Sequence, residues 1–367
     1  MLISMKNIST AFITFFSVFP NTNGSAAMIN NRFNNWPYRK KLFFLSEKKS
    51  KKTNKYYSIK LKKEKPIYKL INIPLLIFKV YNYLKKFKKK IIVIEGSSWI
   101  LYSFISYLLL KFLLPESKII YISHNVEAEI RKKKSKIIYI ITKILEKFIF
   151  KNISISTVVS DVDRLKIKKL YNVNAKVYPN ATSIKFKKTN INIKEDYMIF
   201  SGSYLYGPNK DAIDYLNQKI MPNLIKKKPK LKLVLTGGGY NKKFPWLINK
   251  KIVSKNQLYN LVYKSKIMCV PLRFGSGTRI KILEALSIGT IVISTTKGIE
   301  GIKLNASNPP YVISTREEFL KKISNVLKNY KKNRMRSESD KYYYLSQYSM
   351  NNVTKNFIKK YLLKIIC

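Results

Sequence analysis

Short apolar runs rich in β-branched residues alternate with longer amphipathic segments along most of this chain. In the first half, strands are predicted at Ile8–Val18, Leu42–Leu45, Ile91–Ile94, Ile119–Ser123 and Ile153–Val159, and helices at 98–114, 136–150 and 161–170. Strands that alternate with helices indicate a parallel sheet with helices on both faces. The pattern therefore predicts an α/β fold.

The alternation is interrupted once and then restarts. The polar stretch Tyr178–Asp196, rich in Lys and Asn, predicts a linker. Beyond it, strands are predicted at Met198–Ser201, Leu231–Leu235, Ile267–Pro271 and Ile291–Ser294, and helices at Asn209–Ile225, Gln257–Ser265, Arg279–Ile288, Glu317–Asn329 and Asn351–Ile366. We predict two doubly wound domains, 1–184 and 185–347, with a closing segment at 348–367. Ligands of such sheets bind at the carboxyl ends of the strands, and with two domains usually in the cleft between them.

The charge of the chain has two explanations. There are 72 Lys and Arg against 19 Asp and Glu, a net charge of +53. Nine of the basic residues are Arg and the other 63 are Lys, spread over both halves. The first explanation is compositional, because proteins encoded by AT-rich genomes are rich in Lys, Ile and Asn. The functional alternative is attraction to a polyanion or an anionic membrane surface. Nucleic-acid binders more often cluster Arg with aromatics, so we expect no nucleic-acid partner.

Cysteine and histidine are scarce. Cys269 lies in an apolar run and is expected in a buried strand, and Cys367 is the other cysteine. With one histidine, His124, neither a disulfide framework nor a metal site is expected. Residues 1–27 faintly resemble a signal peptide, but their apolar stretch also suits a buried strand. Residues 98–114 approach the length of a membrane span, but a buried helix explains them as well. We favour the strand and the helix.

Ten of the twelve glycines fall within one hundred residues. They are Gly202, Gly207, Gly237, Gly238, Gly239, Gly275, Gly277, Gly289, Gly298 and Gly301. Glycine is favoured where the backbone turns sharply or approaches a ligand closely. The second half of the chain is therefore where a binding site is expected.

The segment from Pro271 to Gly301 carries the most chemistry. A strand runs into Gly275–Thr278, and a helix begins there, so backbone N–H groups and the helix dipole favour an anion. The helix spacing gives a core stripe of Ile280, Leu283 and Leu286, and it places Thr278, Lys281 and Glu284 on another face. A carboxylate there suits a ribose diol. The residues alone leave open a second interpretation, a helix cap followed by an exposed Lys–Glu pair.

This segment resembles the nucleotide-sugar-binding domain of GT-B-fold glycosyltransferases of the group 1, family 4-like kind. The matching motifs are Pro271, Gly275–Thr278, Lys281–Ala285, Ser287–Gly289, Ser294-Thr295 and Gly298–Gly301. The resemblance continues at Phe200–Gly202, Pro208–Ala212 and Leu233–Gly238, and in the first half at Ile119–Glu127, Val158–Asp161 and Tyr178–Asn180. It covers about residues 90–366.

The resemblance implies two Rossmann-like domains facing a cleft, the first binding an acceptor and the second a nucleotide sugar, with the C-terminal helix packing back on the first. It implies retaining glycosyl transfer from a nucleotide diphosphate sugar to a glycan or lipid-linked acceptor, in cell-envelope polysaccharide synthesis. No metal or other cofactor is expected, because the helix dipole, N–H groups and basic side chains stabilise the leaving diphosphate. We expect a cytoplasmic enzyme, peripheral at the inner face of the plasma membrane. The alternatives are a nucleotide-sugar epimerase and a non-enzymatic, basic polyanion-binding protein.

The resemblance also assigns residues to the site. It makes His124 and Glu284 catalytic, with Glu284 on the ribose hydroxyls and Arg279 and Lys281 on the diphosphate. The other nucleotide-sugar residues are Gly202, Asn209, Lys210, Gly237, Gly238, Gly275, Ser276, Gly277 and Thr278, and the acceptor-side residues are Asn21, Gly24 and Asn125. Ser276 departs from the pattern, because many relatives have a glutamate there that contacts the donor sugar.

Overall fold

The computed structural model describes residues 7–19, 24–47, 53–132, 135–184, 195–275, 277–307 and 309–366. The chain divides into two compact units. The first comprises Met1–Asn180 and Met350–Cys367, and the second comprises Ala181–Ser349. The divisions thus fall after residues 180 and 349, where the sequence placed them after 184 and 347. Residues 185–194 of the predicted linker lie outside the described part of the chain.

The first unit is built on a seven-stranded sheet in which every pairing is parallel. Its strands are β1 (Ile8–Thr14), β2 (Arg39–Ser46), β3 (Tyr56–Lys60), β4 (Lys89–Gly96), β5 (Lys118–Ser123), β6 (Ile155–Val158) and β7 (Lys176–Val177), in the order β3-β2-β1-β4-β5-β6-β7. All seven residues of β1 are buried, because the strand is central and both its faces are covered. The apolar stretch near the N-terminus is thus a buried strand, as favoured.

Six helices of the first unit connect these strands. They are α1 (Gly24–Asn35), α2 (Pro66–Leu84), α3 (Ile100–Leu113), α4 (Glu127–Arg131), α5 (Lys136–Asn152) and α6 (Asp161–Tyr171). The apolar segment at 98–114 forms α3, which connects β4 to β5. Among the described residues, no helix combines the length and apolar character needed to cross a membrane.

The C-terminal segment belongs to the first unit, as the resemblance implied. It consists of α14 (Met350–Phe357), a π-helical turn and α15 (Leu363–Ile366), and α14 packs against α1. The rings of Tyr178 and Phe357 stack with centroids 4.3 Å apart. The hydroxyl of Tyr178 also lies 2.9 Å from that of Thr354. These contacts attach the segment to the residues that follow β7.

The second unit has a six-stranded sheet whose pairings are also all parallel. Its strands are β8 (Tyr197–Ser201), β9 (Lys232–Thr236), β10 (Leu247–Asn249), β11 (Ile267–Val270), β12 (Ile291–Thr295) and β13 (Tyr311–Ile313), in the order β10-β9-β8-β11-β12-β13. Its helices are α7 (Gly207–Tyr215), α8 (Met221–Ile225), α9 (Lys255–Lys264), α10 (Ile280–Ile288), α11 (Thr296–Ile299), α12 (Arg316–Lys328) and α13 (Tyr330–Tyr348). A π-helical turn joins α7 to α8. Cys269 is buried in β11, as expected.

In both sheets the chain runs from the central strand to one edge and then continues on the other side of that strand. The strand order reverses between β1 and β4 in the first sheet and between β8 and β11 in the second. Loops diverge at these switch points and leave room for a ligand at the carboxyl ends of the strands. Each sheet is therefore doubly wound, as predicted.

We predict that Phe357→Ala will destabilise the first unit, because it removes the ring that stacks on buried Tyr178. Truncating a buried Phe costs about 3–5 kcal/mol. The matched control is Phe112→Ala, since Phe112 is exposed on α3 and its loss should cost less than about 0.5 kcal/mol. Calorimetric melting of both variants measures the effect. Equal melting temperatures would show that the C-terminal segment contributes nothing to this core.

Candidate functional site

Two glycine turns lie back to back at the carboxyl edge of the second sheet. Gly202 follows β8 with φ +151°, and Gly237 follows β9 with φ +113°. A Cβ on Gly237 would lie 2.4 Å from the backbone carbon of Gly202, so neither turn has room for a side chain. Tyr204 donates its N–H to the carbonyl of Gly238 at 3.0 Å, which joins the two loops. These contacts bring Gly202, Gly237 and Gly238 together at the carboxyl ends of β8 and β9.

A third glycine turn leads from β11 into α10. Gly275 and Gly277 both have positive φ, 108° and 78°. Arg279, which lies just before the first helical residue, donates from Nη1 to the carbonyl of Gly277 at 2.7 Å. The hydroxyl of Thr278 is buried and has no hydrogen-bond partner among the described residues. The start of α10 thus combines the backbone N–H groups of a helix N-terminus, a guanidinium and a hydroxyl, which suits an anion.

Lys281 connects the start of α10 to the turn after β8. Its Nζ donates to Oδ1 of Asn209 at 2.9 Å and lies 4.0 Å from the centre of the Phe200 ring. A Cβ on Gly202 would lie 2.7 Å from the same Nζ, so this glycine makes room for the lysine. Burial, and then the charge of Arg279, lower the pKa of Lys281 to about 7. A bound anion would favour the charged form and raise this pKa.

Glu284 is buried in the middle of α10, only 6% exposed. Its Oε1 accepts hydrogen bonds from Nζ of Lys255 at 2.5 Å and from the hydroxyl of Tyr259 at 3.3 Å. Burial and then this carboxylate raise the pKa of Tyr259, so Tyr259 remains a donor. The alternative interpretation, in which Lys281 and Glu284 form an exposed pair on α10, is therefore wrong.

The predicted core stripe of α10 is also wrong in part. Ile280 is only half-buried, whereas every residue from Ile282 to Ile288 is buried. The reason is that α9 and α13 both pack on α10, so the helix is covered on nearly every side. The apolar pattern of α10 alone could not predict that α13 packs on it. The sequence of α13 is polar on all faces and gave no sign of a buried side.

Lys255 and Tyr259 are site residues that the sequence reasoning did not identify as such. Both lie on α9, whose N-terminus is fixed by a capping box between Ser254 and Gln257. The capping box was readable from the sequence as a helix start. The contact with Glu284 was not readable, because it depends on how α9 packs against α10.

The remaining predicted residues are scattered or not described. Lys210 is exposed and lies over the Tyr204 ring. Gly24 is exposed at the start of α1, and the carbonyl of Asn125 accepts from the hydroxyl of Ser123 at 2.5 Å. Asn21 and Ser276 lie outside the described residues.

His124 belongs to a buried cluster in the first unit. It follows β5 directly, and its Nε2 lies 2.6 Å from Oε2 of Glu95, at the end of β4. Arg32 of α1 donates to the same oxygen at 2.9 Å from Nη1, and to Oδ1 of Asn180 at 2.9 Å from Nη2. Its guanidinium also lies over the Tyr178 ring. The ends of β4 and β5 and helix α1 therefore meet at one carboxylate, and Arg32 connects them to the segment after β7.

The charges of this cluster compensate one another. Burial raises the pKa of Glu95, but Arg32 and His124 outweigh that effect and hold it below its ordinary value. Burial lowers the pKa of His124 in spite of the neighbouring carboxylate. The lowered pKa favours the neutral imidazole. A neutral ring that donates from Nε2 to Glu95 keeps Nδ1 as an acceptor. Across the described residues, no group of three or more His, Cys, Asp or Glu side chains is arranged to hold a metal ion.

Arg32 and Glu95 are the residues of the His124 cluster that the sequence reasoning missed. The sequence did contain a signal for Glu95, because this carboxylate directly follows the predicted apolar strand Ile91–Ile94. Arg32 had a weaker signal, as one of only nine arginines in a Lys-rich chain. Their pairing depends on α1 placing Arg32 beside the end of β4, and α1 was not predicted.

The loop that carries His124 is held by a second buried carboxylate. Glu146 of α5 accepts from the backbone N–H groups of Glu127 at 2.9 Å and Ala128 at 3.1 Å, which caps the first turn of α4. The hydroxyl of Tyr171 donates to it at 2.7 Å. Burial, together with the nearby charge of Glu127, raises the pKa of Glu146 to about 7 in spite of these donors. α4 begins only three residues after His124, so Glu146 holds the end of the loop that carries His124 in place.

Solved structures show which fold this is. A sucrose-phosphate synthase from Thermosynechococcus elongatus matches with a TM-score of 0.69 and 12% identity, over 97% of this chain and 98% of that one. Anabaena HepE in complex with UDP and glucose matches with 0.68 and 11%, over 96% and 98%. WaaG, a glycosyltransferase involved in lipopolysaccharide biosynthesis, matches with 0.67 and 14%, over 96% and 100%. The chain has the GT-B fold, as predicted.

The sequence comparison adds the class of protein. Residues 195–329 match the family described as glycosyl transferases group 1. This range contains the glycine turns, Lys281 and Glu284 described above. No curated protein sequence matches the chain. Fold and family match together confirm the predicted resemblance and the predicted enzyme class, a glycosyltransferase.

We predict that Glu146→Gln will remove one source of pH dependence from the stability of the first unit. Because the folded pKa of about 7 exceeds the ordinary value of 4.5, the folded state binds a proton that the unfolded state releases. As the pH rises from the ordinary carboxyl range through about 7, the native chain should lose on the order of 3 kcal/mol relative to the variant.

Urea unfolding of both proteins across this pH range measures the difference, and the large background charge cancels in the comparison. Parallel stability profiles for the two proteins would contradict the assignment of a buried, titrating Glu146.

Proposed function

We propose that this protein is a retaining glycosyltransferase that needs no metal and moves a sugar from a nucleotide diphosphate sugar to a glycan or lipid-linked acceptor. The observation that carries the proposal is the buried carboxylate of Glu284, held by Lys255 and Tyr259 beside the glycine turns of the second unit. A carboxylate is costly to bury unless paired charges and hydrogen bonds compensate it, and here Lys255 and Tyr259 do so on one oxygen. Two vicinal hydroxyls of a ribose match its free acceptor capacity.

The start of α10 supports the diphosphate part of the proposal. Departure of the sugar leaves negative charge on the diphosphate, which has to be stabilised in the transition state. Arg279, Lys281 and the N–H groups at the helix start supply positive potential there. Lys281, with its pKa near 7, would take up a proton as this charge develops. These groups supply the charge that a metal supplies in other transferases.

The role of His124 follows from the resemblance and from its surroundings. We propose that its Nδ1 accepts a hydrogen bond from a hydroxyl of the donor sugar. Glu95 supports this role by accepting from Nε2 at 2.6 Å, which fixes the ring and its tautomer. Arg32 balances the charge of Glu95, so the imidazole need not carry a proton of its own.

The acceptor and the cellular setting extend the proposal. HepE is solved with UDP and glucose, and WaaG is described as acting in lipopolysaccharide biosynthesis. These neighbours, with the net charge of +53, support a UDP-type donor, an envelope glycan or lipid-linked acceptor, and cytoplasmic work at the inner, anionic face of the plasma membrane.

Calorimetric titration with UDP, GDP, ADP and dTDP tests the donor site directly. Binding of one nucleotide without added metal is the expected result, and binding of none would overturn the proposal. Incubation of the matching nucleotide sugar without an acceptor then separates transfer from epimerisation. Accumulation of an epimerised nucleotide sugar would favour the epimerase instead.

We predict that Glu284→Ala will weaken binding of that nucleotide about 10- to 100-fold, because two hydrogen bonds to a charged group are lost. Glu317→Ala is the matched control, since Glu317 is exposed on α12 of the same unit. Titration calorimetry of the three proteins gives the comparison. Unchanged affinity in the Glu284 variant would remove the ribose assignment.

We predict that His124→Ala will abolish transfer and leave nucleotide affinity within about twofold of the native value, because His124 lies in the other unit and is assigned to the sugar. The measurements are product formation and calorimetry on one preparation. Loss of nucleotide binding in this variant, or full transfer activity, would each contradict the role proposed for the imidazole.

A further inference from the structure

The exposed apolar side chains of the first unit are concentrated on three neighbouring helices. α3 packs against both α2 and α5. Twelve of the twenty-two large apolar side chains that are exposed among the described residues lie on these three helices. The exposed surface of the three helices is called the α2–α3–α5 face below. A contiguous apolar surface of this kind usually marks an interaction site.

α5 shows how regular this surface is. Ile137, Ile141, Ile144 and Phe148 follow one another at helical spacing, and all four are exposed. The opposite side of α5 is buried against the core. A helix on the surface of a globular protein normally carries polar residues on its outer side. α5 therefore carries an outer apolar stripe that is not buried by the fold.

α2 and α3 repeat the pattern. On α2 the large apolar side chains that are exposed are Ile67, Ile71, Leu75 and Phe78, again at helical spacing, while the other side of the helix is buried. On α3, Phe112 is 83% exposed. The apolar surface therefore extends across three helices.

The charges of the α2–α3–α5 face have one sign. α2 and α3 contain no acidic residue, and the only acid of α5 is the buried Glu146. Exposed lysines border the apolar stripes, with Lys111 on α3 and Lys136, Lys147 and Lys151 on α5. Long basic side chains can place their stems along apolar surface and their ammonium groups among phosphates. A partner that matches such a face has a negatively charged surface and an apolar interior below that surface.

We propose that the α2–α3–α5 face binds the surface of an anionic lipid bilayer, with the isoleucines at the acyl boundary and the lysines among the headgroups. The proposal deepens the membrane association in the proposed function by naming the surface that makes it, and it rests on that part alone. The binding is interfacial, since no described helix has the length and apolar character to cross a membrane. A second copy of the chain fits less well, because two lysine-rich faces would repel each other.

Sedimentation of the full chain with vesicles tests the proposal. Phosphatidylcholine vesicles with phosphatidylglycerol should bind the chain, more strongly at low than at moderate salt, and vesicles of phosphatidylcholine alone should bind it weakly. The double variant Ile137→Gln/Ile144→Gln should lower vesicle affinity at least about tenfold, because two apolar side chains that would insert into the bilayer are lost. The matched control is Met335→Gln/Tyr342→Gln, two exposed residues of α13, which should bind as the native chain does.

A second pair of variants isolates the charge. Lys147→Glu/Lys151→Glu and Lys331→Glu/Lys332→Glu change the net charge equally, and all four lysines are exposed. The first variant should lose at least about tenfold in affinity for the anionic vesicles at low salt, and the second much less. Equal losses would show that binding follows net charge and would overturn the assignment of this face.

Three further results would overturn the proposal. They are no binding to anionic vesicles, equal binding by the isoleucine variant and its control, and a dimer in analytical ultracentrifugation that the isoleucine variant dissociates while vesicles bind neither protein. Circular dichroism confirms that the variants fold. Nucleotide calorimetry on the same proteins keeps the two proposals apart, because vesicle binding that depends on α5 supports the membrane face even where no nucleotide binds.

Discussion

A buried ion pair between Arg32 and Glu95 holds the switch point of the first sheet together. Neither side chain is exposed, so each charge depends on the other for the stabilisation that water would otherwise supply. Through this pair α1 is fixed to the end of β4, the imidazole of His124 is oriented, and Asn180 is held beside the last strand. Removing either charge would leave its partner buried and unpaired, at a cost of about 3–5 kcal/mol. The geometry of His124 is therefore a consequence of folding, and it is present before any substrate arrives.

The few acidic residues of the chain are used at defined places. Five of the nineteen are buried, and three of these, Glu95, Glu146 and Glu284, are each positioned by donors from another element. In a chain with so many lysines, an exposed carboxylate finds a cation almost anywhere. A buried carboxylate has to be given particular partners, and that makes it a more reliable marker of function than the lysines are. Burial acts on cations as well, because it lowers the pKa of Lys281.

The sequence predicted the elements whose pattern is determined locally. The central strands of both sheets are continuous apolar runs because both faces are covered, and α10 follows a glycine turn that specifies its start. The edge strands β3 and β7 were missed, because an edge strand is half exposed and Lys-rich and shows no such run. α2 was missed because Pro74 lies inside it and apolar residues occupy most of its positions, and α13 because its sequence is polar all round. Of the site, Glu284, Lys281 and the glycines were identified from their motif. Lys255, Arg32 and Glu95 were not, because their partners are distant in the sequence and are set only by packing.

The place of residues 350–366 in the first unit has a consequence for how the protein is made. These residues leave the ribosome after the whole of the second unit, yet their aromatic and apolar side chains fill the core around Tyr178 and α1. The second unit can complete its sheet while synthesis is still under way, whereas the first has to wait with that part of its core open. The unit that begins the chain is thus the last to finish folding, and the waiting surface is apolar. A protein built in this order needs its C-terminal residues as the closing step of folding.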